Sequence, residues 1–142
     1  MIRLPLSLRK AMYHAAQNAY PQECCGLLAG IRQGNCITVT QVLPSANLAP
    51  TPETAFEVDP QVRFDLMRAV EGTGEEMIGH YHSHPDHPAK PSARDLEKAF
   101  EPELIWVIID VPAGTAETMG AFKLDEGLNQ FIEIPITVTD EL

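Results

Sequence analysis

One stretch of the chain concentrates residues able to do chemistry, Gly79 to Asp95, which reads G-H-Y-H-S-H-P-D-H-P-A-K-P-S-A-R-D. It holds four of the five histidines, His80, His82, His84 and His87, together with the carboxylate of Asp95; only His14 lies elsewhere. Imidazole and carboxylate are the donors that hold Zn²⁺, so a cluster this dense is a candidate metal site. Glu76 to His82 reads as the end of a strand, and strand residues two apart face the same side, so His82 and His84 point together. His80 with His82 satisfies the same rule, and spacing alone does not choose between the pairs. Ser92-x-x-Asp95 ahead of Leu96, Ala99 and Phe100 reads as a helix start, with Ser92 as N-cap and Asp95 in the first turn. Two imidazoles from a strand end and a carboxylate from the next helix make three ligands. Three leave a fourth position for water, which is the catalytic arrangement of zinc and not the structural one.

These side chains need elements to hold them. A short strand, Ile2 to Leu4, leads into a helix that Ser7 can cap, with Leu8, Met12, Ala15, Ala16 and Ala19 at helical spacing before Tyr20-Pro21 stops it. His14 on that helix has nothing nearby to pair with and reads as a surface or packing residue. The apolar run Cys24 to Ile31 reads as a buried strand, and Gly34-Asn35 turns it into Cys36 to Leu43, the second strand of a hairpin. Pro44 to Glu53 is a loop, Thr54 to Val58 a short strand, and Asp59-Pro60 opens a helix whose apolar face is Val62, Leu66, Met67 and Val70. Pro85, Pro88 and Pro91 predict an extended loop between the histidine strand and Ser92. Leu104 to Val111 reads as a central strand, followed by strands near Thr118 to Leu124 and Gln130 to Thr139 with a turn at Asp125-Glu126-Gly127. The sum is an α/β domain with a mixed, largely antiparallel sheet and about three helices.

Bulk properties frame the reading. A chain of 142 residues is expected to form one domain, residues 1–142, with a real core. The net charge of −10 argues against nonspecific nucleic-acid binding and favours neutral or basic partner surfaces. No apolar run approaches the roughly 20 residues that span a bilayer, and Arg9, Lys10 and His14 interrupt any signal-peptide core. Three cysteines, two of them adjacent, make no disulfide framework, and a cytoplasmic location is expected.

His82-Ser83-His84 followed by Ser92 and Asp95 resembles the JAMM (MPN+) motif of zinc metallopeptidases. Members of that family complete the motif with an upstream glutamate, and the matching position is Glu23, in Tyr20-Pro21-Gln22-Glu23-Cys24-Cys25-Gly26-Leu27-Leu28-Ala29-Gly30. The resemblance runs over nearly the whole chain and implies a fold similar to cytidine deaminase. It implies one Zn²⁺ held by His82, His84 and Asp95, with Glu23 as general base and Ser92 as a donor to the oxyanion. It also implies a compact prokaryotic member that cuts after the C-terminal Gly-Gly of a ubiquitin-like or ThiS/MoaD-type sulfur-carrier protein. Ser83 between the histidines reads as orienting a ligand or its loop; His80 shares the strand face with His82, either supporting a ligand or simply packed, and His87 lies in the Pro-rich loop, solvated or in contact with substrate.

Other chemistries are weaker matches. Cys24 and Cys25 could form a cysteine–histidine pair with His82, but neighbours in a strand face opposite sides and small cysteines there are usually core. The His-x-Glu and Pro-Cys-x-x-Cys of zinc deaminases are absent, as is a His-Glu-x-x-His helix. A metal-free MPN scaffold acting as an interaction module, and an amidohydrolase for small molecules, are the alternatives. A deep, closed pocket would favour the amidohydrolase.

Overall fold

In the computed structural model, which describes residues 1–140, three helices flank an eight-stranded mixed sheet. In chain order the elements are β1 (Ile2–Pro5), α1 (Leu6–Ala19), β2 (Cys25–Gln33), β3 (Cys36–Ser45), α2 (Pro60–Val70) and β4 (Glu76–Pro85). After these come α3 (Ala93–Glu97), β5 (Ile105–Val111), β6 (Met119–Asp125), β7 (Gln130–Ile134) and β8 (Ile136–Thr139). The strand order is β7-β6-β5-β4-β2-β3-β1-β8. Pairings of β2 with β3 and β4, and of β6 with β5 and β7, are antiparallel; β1 with β3 and β8, and β4 with β5, are parallel. The histidine strand β4 therefore lies inside the sheet, between β2 and the apolar β5.

Each face of the sheet is covered by a different part of the chain. Met12 and Ala16 of α1 pack on Leu28, Ile78, Tyr81, Val107 and Ile109. On the other face Leu66 and Val70 of α2 pack on Leu27 and Ala29, while Trp106, Ile108 and Phe122 form a neighbouring cluster. Register shifts between Leu28 and Ala29, which oppose Gly79 and Met77, so β4 carries one extra residue there. This bulge lets Ile78 and Tyr81 share one face while His80, His82 and His84 share the other.

Gly79 sits where the sheet is tightest. A Cβ on it would lie 2.2 Å from the Ile105 carbonyl oxygen of β5, a backbone atom that cannot swing away. We expect Gly79→Ala to cost on the order of 3 kcal/mol. The cost should register as a lower urea midpoint with an unchanged m-value; an unaltered midpoint would mean that β4 and β5 separate freely.

Several sequence expectations need correction. Ser7 lies inside α1, whose N-cap is Pro5 with no side-chain cap bond, because β1 runs directly into the helix. Thr54 to Val58 is not a strand: the turn continues through Thr54, and only Val58 bridges, to Asn47. The Asn47 side chain takes the bonds a strand neighbour would have made, donating to Ala55 O at 2.9 Å and accepting from Glu57 N at 3.0 Å. Strand β4 continues through Pro85, which pairs with Val111; the missing N–H is no loss at the last position, since Asp86 N–H donates to Val111 O. Gln130 to Thr139 is two strands split at Pro135, and they sit at opposite edges of the sheet, β7 on β6 and β8 on β1.

Candidate metal centre

Strand β4 delivers both imidazoles to one side. His82 is fully buried, and its ring stacks on Phe56 with centroids 4.2 Å apart and planes 16° from parallel. His84 Nδ1–H donates to Pro88 O at 2.9 Å, which fixes the ring and leaves the Nε2 lone pair facing inward. On α3 the expected capping box forms: Asp95 N–H donates to Ser92 Oγ at 3.1 Å, and Ser92 N–H donates to Asp95 Oδ2 at 2.8 Å. The helix is only five residues long, yet its cap turns the Asp95 carboxylate inward, where 5% of the residue is exposed.

The three donors converge. His82 Nε2 lies 3.0 Å from His84 Nε2, and Asp95 Oδ2 lies 3.5 Å from the first and 3.3 Å from the second. Ligands about 2.1 Å from a zinc ion at tetrahedral angles stand about 3.4 Å apart, so the triangle has close to the size of one face of a zinc tetrahedron. With His84 Nδ1 donating to Pro88, two imidazole nitrogens and a carboxylate oxygen crowd one point with few protons between them, a donor set that suits a cation. The residues present therefore fit the metal. His80 is not part of the triangle: it packs edge-on against Trp106 at 4.3 Å, its Nδ1 buried and without a partner among the described residues.

Electrostatics follow from burial. Burial pushes the Asp95 carboxyl up, but the imidazoles of His82 and His84 beside it, when protonated, outweigh that and hold it well below the usual range. Burial pulls His82 below its ordinary value despite Asp95. At His84 burial also pulls down, but Asp95 and the Pro88 carbonyl outweigh it and the net direction is upward. Burial drives His80 down to about 3, so its ring is neutral at physiological pH.

Glu23 reaches this site from far upstream. It sits just ahead of β2, 7% exposed, and borders the same cavity as His84 and Ser92. Its backbone is held on three sides: Glu23 N–H donates to Pro52 O at 2.7 Å, Asn47 Nδ2 donates to Glu23 O at 3.0 Å, and the next residue is tied to β4. That tie is reciprocal, with Cys24 N–H donating to Ser83 Oγ at 2.8 Å and Ser83 N–H donating to Cys24 O at 3.1 Å. Ser83 thus anchors the glutamate's loop to the strand that carries both histidines. Burial lifts the Glu23 carboxyl from its ordinary 4.5 to about 7, with His84, Lys98 and Arg94 pulling back and Asp95 adding to the rise. Ser92 is exposed at the cavity's rim; its oxygen accepts from Asp95 N–H, which leaves its own proton able to donate.

The remaining candidates divide cleanly. His14 and His87 are exposed. Burial pushes the Cys24 thiol up to about 11 and Cys25 to about 12, the opposite of what a nucleophilic cysteine needs. Asn47 and Phe56 were not singled out by the sequence. Neither had a readable signal: Asn47 lies in the Pro-rich loop 44–53 and Phe56 in the short β-like segment after it, and their contacts arise from loop closure.

A buried two-histidine, one-aspartate triangle at the end of a sheet strand, with a glutamate across the cavity, defines a hydrolase of the JAMM type. The family model described as "Prokaryotic homologs of the JAB domain" matches residues 5–125, and the chain belongs to that JAMM/MPN family. It is 39% identical over 98 residues to a desampylase of Haloferax volcanii, covering 67% of this chain and 69% of that protein. It is 37% identical over 120 residues to a probable TtuB-protein conjugate cleaving protease of Thermus thermophilus, covering 84% and 73%. It is 27% identical over 134 residues to a CysO-cysteine peptidase of Mycobacterium tuberculosis, covering 94% and 88%. Among solved structures, a protein of Desulfitobacterium hafniense superposes with a TM-score of 0.87 at 34% identity, covering 100% of this chain and 95% of that one.

Proposed function

We propose that the chain, as one domain over residues 1–142, is a zinc-dependent peptidase or isopeptidase that cleaves after the C-terminal Gly-Gly of a ubiquitin-like or sulfur-carrier protein. The observation that carries it is the triangle of His82 Nε2, His84 Nε2 and Asp95 Oδ2, with Glu23 bordering the same cavity. His82, His84 and Asp95 would hold the ion. Zinc supplies Lewis acidity there, lowering the pKa of a water to about 7 and polarising the scissile carbonyl. Glu23 takes a proton from the attacking water and delivers it to the leaving nitrogen. Ser92 donates its hydroxyl proton to the oxygen that becomes negative as the carbonyl carbon turns tetrahedral. Overall, water adds across the C–N bond: the carbonyl carbon keeps OH and the amine keeps H.

Substrate class rests on two supports. Three relatives carry names of peptidases or conjugate-cleaving enzymes for small protein modifiers or carriers. The cavity beside His84, of about 440 Å³, is rimmed by the exposed residues His87, Lys90, Ser92 and Arg94, a form that suits a protein tail better than an enclosed small molecule. No helix of the described residues is long and apolar enough to cross a membrane; a cytoplasmic location is part of the proposal. Zinc-loaded protein incubated with Gly-Gly-tailed carriers bearing an added amino acid or lysine amine is expected to release the amine, seen as a mass loss on the carrier. If no carrier in such a panel is cut, the substrate assignment fails.

A further inference from the structure

The cavity that Glu23 shares with His84 has a basic wall that hydrolysis itself does not require. Lys90 and Arg94 both line it, with the exposed His87 beside them, in a chain whose ten Lys and Arg residues are outnumbered by twenty Asp and Glu. Arg63 pairs with Glu101 and Arg32 with Glu76, whereas Lys90 and Arg94 pair with no carboxylate among the described residues. Among the described residues the Lys90 ammonium has no hydrogen-bond or ion-pair partner, and Arg94 spends one N–H on the Thr54 carbonyl at 3.2 Å, which steadies the guanidinium at the cavity wall. Four N–H donors of Arg94 and the ammonium of Lys90 are left for an anion.

The position of this wall decides what the anion is. Glu23 delivers its proton to the leaving nitrogen, so whatever is attached to that nitrogen lies in the cavity Glu23 borders. In a single amino acid released from a carrier's C-terminus, a carboxylate sits two bonds from that nitrogen. In a lysine side chain of a folded protein, no free carboxylate is near it.

We propose that Lys90 and Arg94 form a carboxylate-binding subsite for the leaving group, so that the enzyme favours carriers ending in Gly-Gly plus one amino acid with a free α-carboxylate over carriers joined to a protein lysine. This rests on the hydrolase reading above. The cleavage is the same addition of water across the C–N bond, and the product is a free amino acid held by the basic wall until it leaves.

The test uses two peptides ending Gly-Gly-Ala, one with a free carboxylate and one with a carboxamide, and zinc-loaded protein. Binding is measured by calorimetry on Glu23→Gln, and kcat/KM is measured on the wild type with the same two termini on a carrier. The expected result is at least a tenfold preference for the carboxylate in both measurements. In Lys90→Gln/Arg94→Gln the ratio should fall to within twofold of one, with zinc content unchanged, while Lys90→Arg retains most of the preference. A preference that survives in the double variant would mean that zinc or backbone holds the carboxylate, and overturns the assignment; so would the absence of any preference in the wild type. If the binding preference obeys these expectations but no carrier is cut, the subsite stands and the peptidase reading falls.

Discussion

Asp95→Ala is expected to leave the protein folded, nearly free of zinc and catalytically silent. The substitution removes one of three donors and also the N3 partner of the Ser92 cap, so α3 loses its inward anchor along with the charge that balances the ion. Loss of an outer-shell partner alone typically weakens a metal site by about 10–100-fold, and a direct ligand should cost more, so zinc affinity should fall by more than about 100-fold. Activity should fall by about a thousandfold or more, since the Lewis acid goes with it. A chelator supplies the matching control. Metal bound at about a thousand times its dissociation constant stabilises the folded state by about 4 kcal/mol, so chelation should lower the melting temperature of the wild type and leave that of Asp95→Ala unmoved. Equal chelator shifts in the two proteins would place the metal somewhere other than the His82, His84 and Asp95 triangle.

Glu23→Gln should separate chemistry from stability. It keeps the shape of the side chain and touches none of the three donors, so zinc content should hold at one per chain while kcat drops by about a hundredfold or more, the usual worth of a general base. Burial has lifted this carboxyl from 4.5 to about 7, which means the folded protein favours the protonated form. The sign follows from that direction: the group's contribution to folding is complete below pH 4.5 and is lost as pH rises through about 7. Ionised Glu23 therefore weakens the metal-free fold at pH 8, and the neutral amide does not. In chelated protein at pH 8 we expect Glu23→Gln to be more stable than wild type by about 1–3 kcal/mol, with the gain vanishing near pH 4. A Glu23→Gln protein that is less stable than wild type at pH 8 would show that the carboxylate is stabilised where it lies, and its role as a poised base would lose its physical basis.

The parts of this site that the sequence discloses are the local ones. A period of two puts His82 and His84 on one face, and the Ser92-x-x-Asp95 spacing writes its own capping box, because both rules act over a few residues. Glu23 obeys no such rule. It arrives through the antiparallel register of β2 with β4, in which Cys25 pairs with His82, and nothing in its neighbours' types announces that pairing. Family likeness identified it where periodicity could not. The segment 54–58 departs from its β-like composition for a related reason: the Asn47 side chain satisfies the backbone that a strand neighbour would have satisfied, which frees Phe56 to stack on His82. At the other end, the residues 130–139 have one alternating pattern and two destinations, divided at Pro135, whose carbonyl accepts from Ile2 N–H at the far edge of the sheet.

The Ser83–Cys24 tie has a consequence for how the enzyme can fail. The three candidate metal ligands come from one short span, residues 82 to 95, whereas the proposed base depends on a contact between residues 59 apart in sequence. Closing the short loop costs little chain entropy and closing the long one costs more, so a partly frayed molecule can still sequester zinc after the glutamate's segment has swung away. Stored or heat-stressed preparations should therefore become inactive before they become metal-free, with the Cys24 amide exchanging its hydrogen in step with lost turnover. Metal stoichiometry would then be a measure of the strand–helix pocket alone, and protection of that single amide the better assay of an intact enzyme.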